Sequence, residues 1–154
     1  MRHPARFAIA LALPILAGGI GGFFTSDAVL QWYPTLIKPW FSPPNWIFGP
    51  VWTLLYILMG ISCYRLWTSN HAHHKQALAL YWGQLVVNAI WSPAFFGLQS
   101  TLLGMVIIWP LWLMIIVLII KSYKIDRLAA WLLVPYLVWV SFASILATSL
   151  YLLN

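Results

Sequence analysis

Aromatic and amide side chains supply most of the chemistry available inside the apolar segments of this sequence. Gln84, Asn88 and Trp91 stand at positions i, i+4 and i+7, so a helix would present all three on one face. Trp52 and Tyr56 form an i, i+4 pair of the same kind. Aromatic faces stack on flat apolar molecules, and a few amides fix the orientation of such a ligand. The spacing is typical of a ligand-binding face, and equally of hydrogen bonds between packed helices.

A third segment repeats the pattern. Trp139 and Ala143 are again four residues apart, so three helices can each turn one face towards a common cavity. Six of the eleven tryptophans fall near the ends of apolar segments, where indole prefers the membrane surface. Trp52, Trp91 and Trp139 lie deeper in their segments and are therefore the candidates for the cavity wall.

Metal and acid–base chemistry find little support in the sequence. The histidines of "HAHH" at 71–74 have no cysteine or carboxylate beside them, which makes a weak ligand set for zinc. No histidine falls within an apolar segment, and this excludes a bis-histidine haem. Ion-coupled transport needs ionisable groups at mid-depth, and these segments have none. We predict no metal site and no required cofactor.

Composition places these residues in a membrane. The chain is 63% hydrophobic and only 6% charged, whereas roughly a quarter of the residues of a soluble domain are charged. The net charge of +6 does not indicate a nucleic-acid partner, because the cations lie between apolar runs rather than on one face. The single cysteine, Cys63, excludes an internal disulfide. We predict an integral membrane protein surrounded by lipid, in a bacterial cell membrane.

Five apolar stretches have about the 20 residues that cross a bilayer. They predict an all-α bundle of five transmembrane helices near residues 6–26, 46–67, 77–98, 101–121 and 128–151, forming one transmembrane domain over 1–154. Most basic residues fall on one side of this arrangement, namely Arg2, Arg6, Arg65, Lys75, Lys121, Lys124 and Arg127. The positive-inside rule then predicts a cytoplasmic N-terminus and a C-terminus outside.

The first connection, residues 27–45, is long and stiff. The stretch "KPWFSPPNWIFGPVW" holds four prolines and three tryptophans within residues 38–52. Proline lowers the entropy that a loop loses on ordering, and tryptophan covers apolar surface while keeping an N–H at a wet rim. A long, stiffened loop is more often a functional cover than a plain connector. We predict that this loop is a lid over the cavity.

Two pairs of small residues allow helices to approach closely. Gly18 and Gly22 form GxxxG in the first segment, and Ala79 and Gly83 form the related small-xxx-small pattern in the third. Such pairs bring helix backbones together within one bundle or between two chains.

Three blocks of the sequence together resemble the translocator protein family, also known as the TspO/MBR family of tryptophan-rich sensory proteins and peripheral-type benzodiazepine receptors. The blocks are "WYPTLIKPWFSPPNWIFGPVWTLLYILMG", "QLVVNAIWSPAFFG" and "AWLLVPYLVWVSFA", and their order and spacing match over essentially the whole chain. The resemblance implies a five-helix bundle that forms a homodimer through Ala79 and Gly83 on the third helix. It also implies a pocket under the first loop, between the first, second, third and fifth helices. The ligand contacts that it implies are Tyr33, Pro43, Trp52, Tyr56, Gln84, Asn88, Trp91, Trp139, Phe142 and Ala143.

The function implied by the resemblance is a membrane receptor or sensor that binds porphyrins, with a role in regulating tetrapyrrole metabolism. Sterols and benzodiazepine-site compounds are further ligands of the family. One alternative is an enzyme that degrades porphyrin with light and oxygen, with Trp52 and Trp139 as its catalytic residues, and another is a porphyrin or sterol translocator. Cholesterol binding is less well supported, because the proposed motif requires a basic residue after tyrosine and none follows Leu150 and Tyr151.

Overall fold

Five long helices account for most of residues 3–154, the part of the chain that the computed structural model describes. Their bounds are α1 Pro4–Gln31, α2 Phe48–Trp67, α3 His74–Ser92, α4 Thr101–Ile125 and α5 Arg127–Leu153. The first connection runs between Gln31 and Phe48, because residues 27–31, predicted to belong to the loop, continue α1. It contains single turns of 3₁₀-helix at Tyr33–Thr35 and Asn45–Ile47, and a π-helical turn at Pro93–Gly97 follows α3. Arg2, one of the basic residues used to predict orientation, lies outside the described residues.

The predicted count of five transmembrane spans is wrong for this structure. Within residues 3–154, four helical segments are long and apolar enough to cross a membrane, those containing α1, α2, α4 and α5. Helix α3 is not among them, because it begins with His74, Lys75 and Gln76 and carries two further amides in its 19 residues. The apolar segment predicted to run to residue 98 also leaves α-helical geometry at Pro93.

Proline explains where regular α3 ends. Pro93 has no N–H to donate to the preceding turn, and the chain continues as the π-helical turn Pro93–Gly97, in which the Leu98 N–H donates to the Pro93 carbonyl at 2.9 Å. Such turns place side chains off the normal helical register. Phe95 and Phe96 are thereby directed into the bundle, where both are buried.

An ion pair joins the ends of three helices. The Arg65 guanidinium at the end of α2 lies 2.7 Å from the Asp126 carboxylate between α4 and α5. Asp126 also caps α5 by accepting a hydrogen bond from the Ala129 N–H at 3.0 Å. Partial burial alone would raise the pKa of Asp126, but the hydrogen bonds from Arg65 and Ala129 and the charge of Arg65 outweigh it, so the pKa is lowered.

Helices α1 and α2 approach closely at Gly60. A Cβ built at this position would lie 2.8 Å from the Ala10 carbonyl oxygen and 2.9 Å from Leu11 Cα, both of which are backbone atoms of α1. Only glycine permits this contact, because the backbone of α1 cannot rotate away as a side chain can. The contact holds α1 against the bundle although much of its opposite face is exposed.

The first connection folds back over one end of the bundle. Tyr33 is 2% exposed and packs edge-on against Phe48 and Phe95, with ring centroids 6.4 and 6.5 Å away. Burial raises the pKa of Tyr33, and its hydrogen bond with Ser42 offsets part of that rise. The Asn154 side chain holds the other side of the loop, since its Oδ1 accepts from the Ile37 N–H at 2.9 Å and its Nδ2 donates to the Ile37 carbonyl at 3.1 Å.

Candidate ligand-binding cavity

A cavity of about 440 Å³ lies beneath the first connection, between α1, α2, α3 with its π-helical turn, and α5. Helix α4 contributes nothing to its wall. The lining is mainly apolar and consists of Ile15, Gly18, Gly19, Gly21, Gly22, Thr25, Tyr33, Phe48, Gly49, Trp52, Thr53, Tyr56, Asn88, Trp91, Ser92, Phe95, Phe96, Trp139, Ala143, Leu146, Ala147 and Leu150. The volume and the few polar groups are typical of a small-molecule site.

Stacked aromatic pairs form two walls of the cavity. The Trp52 and Tyr56 rings of α2 stack with centroids 5.4 Å apart, as their i, i+4 spacing predicts. On the other side, Trp91 and Phe95 lie nearly parallel with centroids 5.2 Å apart. The Trp91 indole N–H is held by the Gly104 carbonyl of α4 at 2.9 Å. These pairs present broad, rigid aromatic surface to a planar ligand.

One polar corner of the cavity is a chain of hydrogen bonds across three helices. The Tyr56 hydroxyl donates to Asn88 Oδ1, Asn88 Nδ2 donates to the Tyr136 hydroxyl, and Tyr136 donates to Gln84 Oε1. Each of the three distances is 2.9 Å. Tyr56 and Asn88 line the cavity, whereas Tyr136 and Gln84 lie behind them with no exposed surface. The amides therefore tie helices together, and Asn88 also lines the cavity, where its contact with a ligand stays a prediction.

A second polar corner lies where α1 meets the end of α3. The hydroxyls of Thr25 and Ser92 are 2.7 Å apart, and both are within 2.9 Å of the Gly21 carbonyl. Two hydroxyl protons serve three oxygens here, so the cluster has more acceptor capacity than donors. A ligand group that meets it is expected to be a hydrogen-bond donor.

The structure brings together seven of the ten residues that the family resemblance implies as ligand contacts. Those that line the cavity are Tyr33, Trp52, Tyr56, Asn88, Trp91, Trp139 and Ala143. Pro43, Gln84 and Phe142 do not line it. Gln84 bonds Tyr136 behind the wall, and Phe142 packs against Phe41 of the loop and the ring of Trp139. Contact of any of these ten residues with a ligand stays a prediction.

The family resemblance implies that the first helix borders the pocket, but it names none of the α1 residues that line the cavity. Ile15, Gly18, Gly22 and Thr25 recur at helical spacing and all face the cavity. Helix α5 similarly adds Leu146, Ala147 and Leu150, which follow Trp139 and Ala143 towards the end that the first connection covers. Extending the i, i+3, i+4, i+7 pattern from Trp139 would have found the α5 residues. The glycines of α1 carry no hydrophobic signal, and only the packing shows what they line.

The two residues proposed for photo-oxidative chemistry share this cavity. Trp52 lines it from α2, and Trp139 lines it from α5. The Trp139 ring packs at 71° against Phe48 with centroids 6.0 Å apart, and its buried Nε1 has no hydrogen-bond partner among residues 3–154.

Metal-ligating side chains do not gather anywhere in the described part of the chain. Among residues 3–154, no three His, Cys, Asp or Glu side chains are placed to hold an ion. Cys63 is free and buried. Whether the protein works without a metal or cofactor stays a prediction.

The small-residue pairs have different surroundings. A Cβ at Gly18 would collide with the Tyr56 ring, whereas one at Gly22 would meet nothing within 4 Å. On α3, Ala79 is exposed, but a Cβ at Gly83 would lie 3.3 Å from Met114 Cε of the same chain. Gly83 therefore packs within the bundle, and a dimer contact through α3 stays a prediction.

Comparison with known proteins matches almost the whole chain. A sequence model of the TspO/MBR family matches residues 10–152. The chain is 45% identical to "Tryptophan-rich protein TspO" of Archaeoglobus fulgidus over 147 residues, which cover 95% of each chain. It is 36% identical to "Tryptophan-rich sensory protein" of Cereibacter sphaeroides over 88% of this chain and 85% of that protein. It is also 36% identical to "Translocator protein" of Homo sapiens, over 86% of this chain and 80% of that protein.

Proposed function

Because the chain belongs to the TspO/MBR family, we propose that it is a membrane receptor or sensor that binds a porphyrin in the cavity under its first connection. Membership confirms the resemblance inferred from the three sequence blocks. The apolar helices and the family together make it an integral membrane protein. The Cereibacter sphaeroides relative is named a sensory protein, which supports a receptor rather than an unrelated membrane role.

The observation that carries the proposal is the aromatic cavity itself. A porphyrin is flat and aromatic, and Trp52 with Tyr56 and Trp91 with Phe95 offer it two stacked surfaces. The volume of about 440 Å³ falls within the roughly 300–1,000 Å³ of small-molecule sites. No histidine is among the lining residues, so the site offers no strong axial ligand for iron and suits a metal-free macrocycle better.

Lys38 supplies a cation close to the covered end of the cavity. Its Nζ lies 4.6 Å from the centroid of the Tyr33 ring, and Tyr33 lines the cavity. Porphyrin propionates are anions that remain near the surface when the macrocycle is buried. Lys38 can leave the Tyr33 ring to pair with such a carboxylate, because the lysine side chain is long and flexible.

Filling the cavity tests the proposal directly. Ala143→Phe places a ring in the wall of the cavity and is expected to abolish saturable binding of metal-free protoporphyrin, measured by quenching of tryptophan fluorescence in detergent. Val138→Phe is the matched control, because Val138 lies on the same helix but is 64% exposed on its outer face. Equal affinity for wild type and Ala143→Phe would place porphyrin elsewhere on the protein.

A second candidate function is light- and oxygen-dependent porphyrin degradation. It is favoured by the placement of Trp52 and Trp139 in one cavity, since an indole is readily oxidised and both would flank the same macrocycle. Illumination of the protein with protoporphyrin in air should then yield a modified tetrapyrrole, and Trp52→Phe or Trp139→Phe should bind porphyrin but form no product. Absence of product from the wild type would leave binding alone.

Assembly, transport and location stay predictions. A homodimer through α3, transport of porphyrin or sterol, and residence in a bacterial cell membrane are each compatible with the family. The name "Translocator protein" belongs to the human relative, and nothing in the cavity distinguishes carriage of a ligand from its detection.

A further inference from the structure

The hydrogen-bond chain behind the cavity ends in an unsatisfied amide. Tyr56, Asn88, Tyr136 and Gln84 are joined in that order by three hydrogen bonds of 2.9 Å. Gln84 Nε2 is buried and has no partner among residues 3–154. A buried N–H group without an acceptor is unfavourable. The present order of these hydrogen bonds therefore leaves a donor of Gln84 unused, and another order of donors and acceptors could use it.

The same four side chains can be joined in the opposite order. Rotating each amide by half a turn exchanges its oxygen and nitrogen, and the heavy atoms keep their positions. Gln84 Nε2 then donates to Tyr136, Tyr136 donates to Asn88 Oδ1, and Asn88 Nδ2 donates to the oxygen of Tyr56. Three hydrogen bonds remain. Gln84 gains a bond for its N–H while its oxygen loses one, so the two orders are close in energy.

The two orders differ in what Tyr56 offers to the cavity. In the observed order the Tyr56 proton is used by Asn88, and the phenol can only accept a hydrogen bond from a ligand. In the reversed order Tyr56 accepts from Asn88, and its O–H is free to donate. A ligand with an acceptor group would use that proton and complete the reversed order.

We propose that Gln84 is a positioning residue that sets the order of this chain, and thereby selects ligands that present a hydrogen-bond acceptor to Tyr56. The acceptor class includes carboxylate, carbonyl and imine nitrogen, and a metal-free porphyrin carries imine nitrogens in its macrocycle. Gln84 itself stays behind the wall and does not touch the ligand. This inference rests on the proposed binding function of the cavity.

Two substitutions at Gln84 push the chain in opposite directions. Gln84→Leu leaves Asn88 Oδ1 as the acceptor within reach of Tyr136, which favours the reversed order and frees the Tyr56 proton. Gln84→Glu keeps the size of the side chain, and once ionised the carboxylate can only accept, which locks Tyr136 and Asn88 in the observed order. Gln84→Met lacks both hydrogen-bonding groups and must behave like Gln84→Leu.

The first measurement needs no ligand. The C–O stretching band of Tyr56, isolated as an infrared difference against Tyr56→Phe, reports whether the phenol donates or accepts. Gln84→Leu and Gln84→Glu at alkaline pH should displace it in opposite directions. A band at the same frequency in both variants contradicts the inference, whether or not the protein binds porphyrin.

The second measurement is the dissociation constant for metal-free protoporphyrin. Gln84→Glu at alkaline pH should weaken binding about tenfold, the effect of losing one hydrogen bond to the ligand, and Gln84→Leu should bind at least as tightly as wild type. Tyr136→Phe interrupts the hydrogen-bond chain. In a Tyr136→Phe background, Leu and Gln at position 84 should therefore give equal dissociation constants. Any remaining effect of Glu in that background would be its direct charge repulsion of the ligand. Weakening by Gln84→Leu as large as that by Gln84→Glu would make Gln84 merely structural. Failure of the wild type to bind porphyrin would instead remove the proposed function.

Discussion

Replacing Gly18 by alanine should damage both the packing and the binding site of this protein. A Cβ at this position would lie 2.7 Å from Cδ2 of the Tyr56 ring and closer still to Cε2. An aromatic ring must then shift by several tenths of an ångström. The ring is held from the other side by the stacked Trp52, and its hydroxyl is bonded to Asn88. Its easiest movement is into the cavity.

The magnitude follows from three opposing effects. Overpacking a filled site costs about 1–3 kcal/mol, and weakening the bond from Tyr56 to Asn88 adds about 0.5–1.5 kcal/mol. Alanine favours helix over glycine by about 1 kcal/mol, which offsets part of this. We expect a net destabilisation of about 1–3 kcal/mol. Porphyrin affinity should fall as well, because the displaced ring occupies the space of the ligand.

Gly22→Ala is the matched control, since Gly22 lies one helical turn away and has nothing within 4 Å of an added Cβ. It should keep or raise stability, by at most about 1 kcal/mol. Both variants can be compared with wild type by thermal unfolding in the same detergent and by protoporphyrin titration. Equal unfolding temperatures for Gly18→Ala and Gly22→Ala would refute the argument, because they would show that α1 is not packed on Tyr56 as described.

Trp52→Ala should weaken protoporphyrin binding by about 1–3 kcal/mol in a fluorescence titration, because one stacking surface is lost. Trp109→Ala on α4, outside the cavity, should leave the binding unchanged. Equal losses of affinity in the two variants would show that porphyrin does not bind in this cavity. The lowered pKa of Asp126 means that its pair with Arg65 stabilises the fold above the unfolded pKa of about 3.9 and loses this effect as pH falls through the folded pKa. Asp126→Asn can still cap α5 but cannot form the ion pair, so its melting temperature should depend less on pH in acid. The stabilisation lost should be about 0.2–1 kcal/mol. If the melting temperature of Asp126→Asn falls with acid as steeply as that of the wild type, the ion pair does not stabilise the fold. If α3 forms a dimer contact, Ala79→Leu should reduce the fraction of crosslinked dimer in detergent, because the larger side chain separates the two α3 helices. The fold itself should be kept, since the exposed Ala79 has room for leucine within its own chain. An unchanged fraction of dimer would place the contact elsewhere.

Much of the cavity wall was accessible from the sequence because helical periodicity is a local property. Residues three, four and seven apart share a face whatever surrounds the helix, so Trp52 with Tyr56 and Trp139 with Ala143 were grouped correctly as faces. Gln84 shows the limit of this reasoning. It shares its face with Asn88, yet it is one turn further from the cavity, where Tyr136 of α5 covers it.

Hydropathy established the class of protein, since apolar runs of spanning length and few charges favour a helical membrane protein. It gave the wrong number of spans, because α3 includes the polar residues His74, Lys75 and Gln76 at its start and its α-helical geometry ends at Pro93, within "QLVVNAIWSPAFFG". A missing N–H changes the hydrogen-bonding geometry without changing the apolar character of the stretch. Counting apolar residues therefore cannot locate such a break.

The sequence by itself determined the helical faces, the aromatic content of the site and the family of the protein. The tertiary structure set which faces meet. Glycine has almost no hydropathic signal, so only the packing shows that Gly18 receives the Tyr56 ring, that Gly60 brings α1 against α2, and which residues of α1 line the cavity. The order of hydrogen bonds from Tyr56 to Gln84 likewise depends on three helices at once, because the proton of each hydroxyl goes to whichever acceptor the neighbouring helix places within reach.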